Sequence, residues 1–392
     1  MKLKTLVLTT SFPLRRDSVS GIFVKRLVDA MATPMDVQVV TPADRSDLPC
    51  DTDDVYPIQC FRYAPRHWQV LAQGAGGIPV ALRQQPLSLA LVPFFMMGML
   101  FSTLRAARHC DVIHGNWSIG GAIAGLAGRL LGRPVVTTLR GEDVSAADAN
   151  RSYAALLRLS FLFSDRIVTV SRAMADELAQ RYPAHRHKLV TIHNGVDDSL
   201  FQCRRPAFDS ARCRVLFVGS LIPRKGAEVL IEAMNLIGQA HELQLAGAGA
   251  ERLRLETTVG DLGLSGRVNF LGAIPPAEVA GLFEQADVLV LPSYSEGRPN
   301  ILMEAMAAGV PVIGSDIEGI SEVISEGENG LLFAAGDAEA LAGRLQELIS
   351  SAELQARLTA GGRACIRDNG LSWTSAAQQY HALFAELTEG RA

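Results

Sequence analysis

The strongest constraint on the fold is an alternation of short, β-branched runs with helix-like segments. In the first half of the chain the runs occupy residues 5–8, 37–40, 112–113, 134–137 and 166–170. The alternation restarts after residues 208–210, with runs at 214–218, 243–245, 268–270, 288–291 and 310–313. Strands separated by helices require right-handed crossovers, so each half is predicted to form a doubly wound parallel sheet of an α/β fold.

The length of 392 residues supports this division, because a single hydrophobic core stops growing at roughly 250 to 300 residues. We therefore expect two Rossmann-like domains, joined near residues 200–211. Open α/β sheets bind ligands beyond the carboxyl ends of their strands. The loops that follow the strands are thus the places to look for a site.

Composition excludes several classes of protein. Hydrophobic residues make up 48% of the chain and charged residues 20%, which is typical of an ordered globular protein. The formal net charge of -4 offers no global basic field for nucleic acid. The six cysteines form no C-x-x-C pair, and the N-terminus resembles a buried strand more than a signal peptide. A cytoplasmic location is expected.

One apolar segment, residues 87–104, approaches the length of a membrane span. Pro93, Gly98 and Ser102 interrupt it. The segment favours a buried or interfacial helix over a transmembrane one. Association with the inner face of the membrane stays open on this basis.

The loop after the run that ends at Leu291 carries the most informative residues. It contains Glu296, and Glu304 lies in the helix-like stretch that follows. Gly297 permits close approach of the backbone to a ligand, Pro299 suits a helix start, and first-turn N–H groups favour sugar hydroxyls or phosphate oxygens. Taken alone, the two glutamates are equally consistent with surface carboxylates, one capping a helix and one solvated.

Residues 295–312 read SEGRPNILMEAMAAGVPV. This block resembles the E-x7-E signature of the retaining glycosyltransferases of family 4, the glycosyltransferase group 1 domain. The resemblance implies a GT-B fold of two facing Rossmann-like domains. It also implies that Glu296 holds hydroxyls of the donor sugar and that Glu304 accepts hydrogen bonds from the ribose. The further substrate-binding candidates in this block are Gly297, Arg298, Pro299 and Asn300.

Residues 217–226 resemble the glycine loop and the lysine-glycine element of the same family. The resemblance places Gly219 in the loop and assigns Arg224 and Lys225 to the donor diphosphate, whose growing negative charge they would neutralise in the transition state. The alternative is a solvated basic turn. Many relatives carry arginine where this chain has Ser220, so either Arg224 supplies that charge or the site has one cation fewer.

The first half resembles the family more loosely. Residues 20–24 resemble its first glycine loop, in which Gly21 approaches the diphosphate, and residues 194–197 resemble its N-G-V-D turn near the hinge. Asn116 and Arg140 stand where the family usually has histidines, which removes the basis for histidine chemistry on the acceptor. Arg140 is expected either to contact an anionic acceptor, such as a lipid diphosphate, or to pair with Glu142 or Asp143. His114 has two interpretations, an acceptor-side residue or a core histidine.

The resemblance implies transfer of a sugar, with retention, from a nucleoside-diphosphate sugar to a hydroxyl of a glycan or lipid-linked acceptor. The biosynthesis of a polysaccharide, a lipopolysaccharide or another glycoconjugate is the implied setting. In a GT-B fold the last helix returns to the first domain, so the expected domains are 1–200 plus 373–392 on the acceptor side and 211–372 on the donor side.

No metal or other cofactor is expected. Residues 51–53 mimic a metal-binding D-x-D, but their polar surroundings favour a solvated loop. Residues 247–252 begin like a dinucleotide fingerprint but continue with Arg252 and lack a placed acidic partner. Two alternatives stay open, a GT-B epimerase or hydrolase of the sugar nucleotide and a non-catalytic subunit that binds it. The joint presence of Lys225, Glu296 and Glu304 argues against the second.

Overall fold

The computed structural model describes residues 2–15, 18, 20–45, 54–72 and 77–390. The chain divides into two compact units, one formed by Met1–Asn194 with Trp373–Ala392 and the other by Gly195–Ser372. The sequence assigned residues 195–200 to the first domain, whereas the structure groups them with the second unit. The reason is packing, since Val196 and Leu200 lie in the core of the second unit and Val196 bridges to Ser372.

Parallel strands form the sheet of the first unit. The described strands are β1 (Leu3–Leu8), β2 (Met35–Pro42), β3 (Ile58–Phe61), β4 (Val112–Asn116), β5 (Val135–Leu139), β6 (Arg166–Thr169) and β7 (Leu189–Thr191). Their order is β3-β2-β1-β4-β5-β6-β7. Every residue of β4 and β5 is buried, as expected where helices cover both faces of a parallel sheet.

Helices connect these strands, and short 3-10 turns lie between some of the elements. The helices are α1 (Ile22–Met31), α2 (Gly77–Gln84), α3 (Val92–Ala107), α4 (Trp117–Leu131), α5 (Glu142–Ala149), α6 (Arg151–Phe163) and α7 (Arg172–Arg181). The 3-10 turns of this unit are Arg66–Trp68, Pro86–Leu91 and Pro183–Lys188.

The second unit repeats this plan with β8 (Arg214–Val218), β9 (Glu242–Ala246), β10 (Val268–Gly272), β11 (Val288–Leu291), β12 (Val312–Ser315) and β13 (Leu331–Phe333). These parallel strands are ordered β10-β9-β8-β11-β12-β13. The helices are α8 (Ala227–Leu236), α9 (Arg252–Asp261), α10 (Val279–Gln285), α11 (Asn300–Ala308), α12 (Glu318–Ser321), α13 (Ala338–Ser350) and α14 (Ala352–Asp368). Further 3-10 turns are Asp198–Gln202, Pro223–Lys225 and Pro276–Glu278.

The last helix, α15 (Trp373–Glu389), belongs to the first unit. Its apolar side chains Trp373, Tyr380 and Phe384 share a core with Val24 and Val28 of α1. The expected return of residues 373–392 to the first domain therefore agrees with the structure, although more than 170 residues of the second unit precede them in the chain.

Each sheet has a point at which the chain changes direction. In the first unit the chain moves outward from β1 to β3 and then returns to β4, which lies on the other side of β1. In the second unit the same happens around β8 and β11. Such switch points open a crevice at the carboxyl ends of the two central strands, where ligands bind. The loops after β1, β4, β8 and β11 are accordingly the candidate site loops.

Candidate active site

Lys225 and Glu296 meet at the switch point of the second unit. Strands β8 and β11 are paired, with Val215 opposite Val288. Lys225 follows β8 and Glu296 follows β11, so the pairing of the strands brings their loops together. The ammonium Nζ of Lys225 donates a hydrogen bond to Oε1 of Glu296 at 2.5 Å. Two residues that are 71 positions apart in sequence thus form one ion pair.

Gly226 fixes the direction of the Lys225 loop. Its φ of 64° lies in the left-handed region, and a Cβ at this position would stand 2.0 Å from the carbonyl oxygen of Pro292. Only glycine can therefore follow Lys225 here. The loop after β11 is joined to the Lys225 loop, because the N–H of Tyr294 donates to the carbonyl oxygen of Arg224 at 2.9 Å.

The ion pair is largely shielded from water. The side chain of Lys225 is 18% exposed and that of Glu296 is 8% exposed. The hydroxyl of Ser293 donates a second hydrogen bond to Oε1 of Glu296 at 2.7 Å. Charges in such partly buried surroundings interact more strongly than on the surface. Lys225 is thus not part of a solvated turn. Arg224 is exposed, and its Nη1 donates to the carbonyl oxygen of Ser295 at 3.0 Å.

Glu304 is buried in α11, with 6% of its surface exposed. The interpretation of Glu296 and Glu304 as surface carboxylates is therefore wrong for both. Pro299 stands at the N-cap of α11 and Asn300 is its first residue, so the predicted helix start is confirmed. The first-turn N–H groups of α11, which directly follows the Glu296 loop in the chain, carry partial positive charge.

Gly297 is exposed, and a Cβ added to it would meet no atom within 4 Å, so the space beside it is open. A separate close approach within the protein occurs at Gly319, where a Cβ would stand 2.2 Å from the carbonyl oxygen of Glu296. Nothing in the sequence marked Gly319. The side chain of Arg298 is 7% exposed and faces Glu322, with 3.6 Å between Nη1 and Oε1, so a protein carboxylate balances its charge.

Gly219 lies directly after β8, and its N–H donates to the carbonyl oxygen of Ala246 at 2.9 Å. The neighbouring loop after β9 packs tightly on it, since a Cβ on Gly247 would stand 1.8 Å from the carbonyl oxygen of Gly219. The glycines that imitate a dinucleotide fingerprint therefore serve the packing of this loop against the Gly219 loop.

In the first unit, Gly21 occupies a position that only glycine tolerates. Its φ is 75°, and a Cβ would stand 2.3 Å from the carbonyl oxygen of Ser11. Gly21 is the N-cap of α1. Phe23, in the first turn of this helix, packs edge-on against Trp117, with 6.2 Å between the ring centroids. The loops after β1 and β4 thus meet through aromatic side chains.

Arg140, which follows β5, is held by neutral groups. Its Nη2 donates to Oδ1 of Asn116 at 2.9 Å and its Nη1 donates to Oδ1 of Asn194 at 3.2 Å. The guanidinium carbon lies 4.9 Å from the ring centroid of Phe23 and 5.9 Å from that of Trp117. Aromatic faces attract a cation without neutralising it. Burial lowers the pKa of Arg140 from its ordinary value.

Asp143 does not neutralise Arg140 by an ion pair. Its carboxylate accepts hydrogen bonds from the backbone N–H groups of Ser118, Arg140 and Gly141 at 3.0, 3.1 and 3.1 Å. Burial raises the pKa of Asp143, and these backbone hydrogen bonds act in the opposite direction. Among the side chains that the structure describes, Arg140 forms no ion pair. The side chain of Glu142 lies outside them.

Asn116, Asn194, Phe23 and Trp117 were not selected from the sequence as partners of one arginine. The available signal was that Asn116 and Arg140 both replace the family's usual histidines. Two such departures at the ends of the adjacent strands β4 and β5 suggest that the two side chains contact each other. Trp117 adds a backbone signature, since its φ of 60° is positive in a residue other than glycine. Such conformations cost roughly 1 to 3 kcal/mol and cluster at functional sites.

His114 is a core residue. It is fully buried, and its Nε2 is 2.8 Å from Oγ1 of Thr138, which in turn is 2.7 Å from the hydroxyl of Tyr380. Burial, reinforced by the charge of Arg140, lowers the pKa of His114 to about 3. The imidazole is therefore neutral under physiological conditions and lies beneath α15 rather than at an acceptor.

Within the part of the chain that the structure describes, no three histidine, cysteine or carboxylate side chains are grouped so as to hold a metal ion. The D-x-D sequence formed by Asp51 and Asp53 lies outside the described residues.

Two parallel-sheet units with glycine loops at their switch points define a nucleotide-binding enzyme architecture, and the comparisons specify the class. Residues 202–364 match the family model for glycosyl transferases group 1, and residues 20–200 match that for glycosyltransferase family 4. The chain belongs to this family of glycosyltransferases, and its architecture is the GT-B fold.

Individual relatives support this family assignment. The chain is 27% identical to D-inositol 3-phosphate glycosyltransferase of Corynebacterium efficiens over 340 residues, which cover 78% of each protein. It is 31% identical over 220 residues to the putative colanic acid biosynthesis glycosyltransferase WcaL of Escherichia coli, covering 54% of each. HepE of Anabaena, solved in complex with UDP, has a TM-score of 0.77 at 20% identity over 98% of this chain and all of that chain.

Proposed function

We propose that this glycosyltransferase moves a hexosyl or related sugar from a nucleoside-diphosphate sugar to a hydroxyl of an anionic or lipid-linked acceptor, with retention at the anomeric carbon. The observation that carries the proposal is the shielded Lys225–Glu296 pair at the switch point between β8 and β11. It places a fixed cation and a carboxylate side by side where the fold binds ligands.

The second unit supports the donor half of the proposal. An ammonium group has three donors, so Lys225 can bind a diphosphate oxygen while it holds Glu296. As the bond between the sugar and the diphosphate breaks, negative charge grows on the leaving oxygen, and a cation that is already positioned stabilises it without reorganisation. Glu296 would accept hydrogen bonds from sugar hydroxyls, and the buried Glu304 would accept them from the ribose. HepE, a structural neighbour, has been solved with UDP-glucose.

The first unit supports an anionic acceptor. The guanidinium of Arg140 is held by two amide oxygens and two aromatic faces, and no described carboxylate forms an ion pair with it. A phosphate would supply that missing charge with bidentate geometry. The relative from Corynebacterium efficiens is named for D-inositol 3-phosphate, which carries a phosphate, and WcaL is named for colanic acid biosynthesis. We propose glycoconjugate synthesis in the cytoplasm, without a metal ion, as the setting.

The test begins with a panel of nucleoside-diphosphate sugars and thermal unfolding. A donor present at a hundredfold its Kd stabilises the folded protein by roughly 2.7 kcal/mol. The donor selected in this way is then incubated with phosphorylated and unphosphorylated acceptors, and the anomeric configuration of the product is read by NMR. We expect the configuration of the donor to be retained and the phosphorylated acceptor to be preferred.

Other products would assign another activity. Release of free sugar, or a donor epimerised with no acceptor present, would indicate a hydrolase or an epimerase. Binding of the donor with no turnover on any acceptor would indicate a binding subunit. Inversion at the anomeric carbon would contradict the proposed stereochemistry while leaving the class of transferase intact.

A further inference from the structure

An exposed apolar face runs along the segment Pro86–Ala107. Phe94, Met97 and Phe101 follow one another at spacings of three and four residues on α3, so they share one side of the helix, and each is more than half exposed. In the preceding 3-10 turn, Leu87 and Leu89 are 92% and 64% exposed. Soluble monomers rarely expose so large a contiguous apolar surface, which marks a site of interaction.

The opposite side of α3 is built into the first unit. Phe95 and Met99 are buried, and the ring of Phe95 packs against Phe61 and Tyr63 at centroid distances of 5.5 and 5.1 Å. Gly98 permits this approach, since a Cβ there would already be 3.2 Å from the ring of Phe61.

Among the described residues, Pro86–Ala107 is the helical stretch that is long and apolar enough to cross a membrane. To span a bilayer it would have to leave the packed core described above, exposing Phe95, Met99 and the aromatic side chains of β3 and its loop. The packing therefore favours a helix that lies along a surface with its buried side still attached to the protein.

Positively charged side chains lie next to the apolar face, at the C-terminal end of α3. Arg105 and Arg108 follow Phe101 at spacings of four and three residues, on the same side of α3, and both are exposed. Residues 55–110 contain five arginines and no lysine, aspartate or glutamate, which gives this stretch a formal charge of +5 within a chain of -4. The apolar face and the charge excess are separate observations on the same stretch of the first unit, and two of the five arginines, Arg105 and Arg108, lie on the apolar side of α3.

We propose that this membrane face, formed by Leu87, Leu89, Phe94, Met97, Phe101, Arg105 and Arg108, docks the enzyme on an anionic lipid leaflet. Phe94, Met97 and Phe101 enter the boundary between headgroups and acyl chains, and the two arginines contact lipid phosphates.

Charge decides between lipid and a second copy of the chain. In a symmetric dimer the same face would meet itself, and the face carries no carboxylate to receive Arg105 and Arg108 from the partner copy. An anionic leaflet offers both a hydrocarbon layer for the phenylalanines and phosphates for the arginines. The inference stands on the first unit alone and does not depend on the proposed donor or acceptor.

The experiment measures co-sedimentation of the full chain with vesicles. One set contains phosphatidylglycerol and phosphatidylcholine in equal parts, and the other contains phosphatidylcholine alone. We expect binding to the mixed vesicles, weakened by added salt, and much less binding to the neutral ones. The double variant R105Q/R108Q should bind mixed vesicles roughly tenfold more weakly, and F94S/F101S should lose at least as much.

A matched control removes exposed apolar side chains elsewhere. Leu236 and Leu253 are exposed helix residues of the second unit, and L236S/L253S should bind vesicles as the wild type does. Far-ultraviolet circular dichroism and thermal unfolding of all variants verify the fold. R105Q/R108Q changes no apolar contact, so it tests the proposal even where F94S/F101S fails to fold.

Three results would overturn the proposal. The first is wild-type binding that is absent or indifferent to phosphatidylglycerol. The second is a dimer, seen by analytical ultracentrifugation, that F94S/F101S converts into a monomer while neither protein binds vesicles. The third is native membrane-bound protein that detergent alone extracts and high salt with alkaline carbonate does not, because a surface-bound helix is released by those washes.

Discussion

At the scale of single residues, the proposed role of the Lys225–Glu296 pair is to receive the negative charge of the donor diphosphate. In the structure the carboxylate of Glu296 balances the ammonium of Lys225, and Ser293 also donates to that carboxylate. A diphosphate would add negative charge beside an ammonium that is already oriented. The position is thus stable before binding and becomes more favourable as the leaving group forms.

Replacement of Lys225 by alanine should consequently lower turnover more than it raises the KM of the donor. We expect a loss of roughly 100-fold in kcat, by comparison with the removal of one transition-state donor. Steady-state kinetics with saturating acceptor measure both parameters. The control is Arg212→Ala, which breaks an exposed Arg–Glu pair with Glu242 in the same unit and should leave kcat close to that of the wild type. Wild-type turnover in the Lys225 variant would remove its assigned role.

Glu304 should act on the nucleotide itself. If its buried carboxylate accepts hydrogen bonds from the ribose, Glu304→Ala should weaken binding of the free nucleoside diphosphate as well as of the sugar nucleotide, by roughly 1.5 to 3 kcal/mol. Isothermal titration calorimetry with both ligands measures this. Glu304→Gln keeps the shape and one acceptor oxygen, so its loss should be smaller. Unchanged affinity of the alanine variant for the nucleoside diphosphate would refute the ribose contact.

Site residues could be predicted from the sequence where they lie close together in one local motif. Glu296, Pro299 and Glu304 lie within nine positions, and their helix start could be placed from the sequence. Arg140, Asn116 and Asn194 come from three separated segments, and only the pairing of β4 with β5 and the path of the chain after β7 bring them together. No local pattern encodes such a contact, so the partners of Arg140 could not be predicted.

At the scale of elements, strands were more predictable than the helices between them. Central parallel strands are buried on both faces and read as β-branched or apolar runs, as β5 (VVTTL) and β11 (VLVL) do. The apolar segment 87–104 was harder, because a helix with one buried side and one exposed apolar side has little periodicity. In the structure this segment forms a 3-10 turn and α3. One side of α3 is apolar because it packs in the core, and the other side is apolar and exposed.

The packing of α15 on β4 and β5 should make the free energy of unfolding depend on pH. His114 is neutral in the folded state down to about 3, whereas in the unfolded chain its pKa is near 6.5. The unfolded state therefore binds the extra proton between these two values, and the free energy of unfolding falls as the pH is lowered from about 6.5 toward about 3. At about pH 5 the loss from this group is roughly 2 kcal/mol.

Thermal unfolding of the wild type and of His114→Asn at a series of pH values measures the effect. The variant should be less stable at neutral pH, because it loses packing beneath Tyr380, but its melting temperature should fall less steeply as the solution is acidified. His109→Asn replaces an exposed histidine and serves as the matched control, with the slope of the wild type. Equal slopes in all three proteins would mean that His114 is not kept neutral by the fold.

At the scale of the whole molecule, two units of one plan carry the two halves of the proposed site. The second unit carries the contiguous Lys225 and Glu296 loops, and the first carries Arg140 among aromatic and amide side chains. The division into two units could be predicted because the strand pattern restarts, whereas the exact boundary could not. Residues 195–200 follow a strand of the first unit in sequence, yet their apolar side chains fit the core of the second.

The charges of the molecule lead to the last prediction, that transfer needs no divalent metal. A magnesium site at a diphosphate usually requires carboxylates that hold the ion through oxygen. At the switch point of the second unit the structure places Arg224, Lys225 and the start of α11, and Glu296 is already engaged by Lys225. A divalent ion beside this fixed positive charge would be repelled, so we expect the protein itself to supply the neutralising charge.

Activity should accordingly survive excess EDTA after the enzyme has been freed of metal, with kcat within about twofold of the untreated enzyme. The double variant Asp51→Ala with Asp53→Ala, which removes the D-x-D sequence, should keep nearly the same turnover. Lys225→Ala is the informative companion: because the described residues offer no group of side chains that could hold a metal ion, added magnesium should not restore its activity. Complete loss of wild-type activity in EDTA, restored by magnesium or manganese, would show that the leaving diphosphate depends on an ion and not on these side chains.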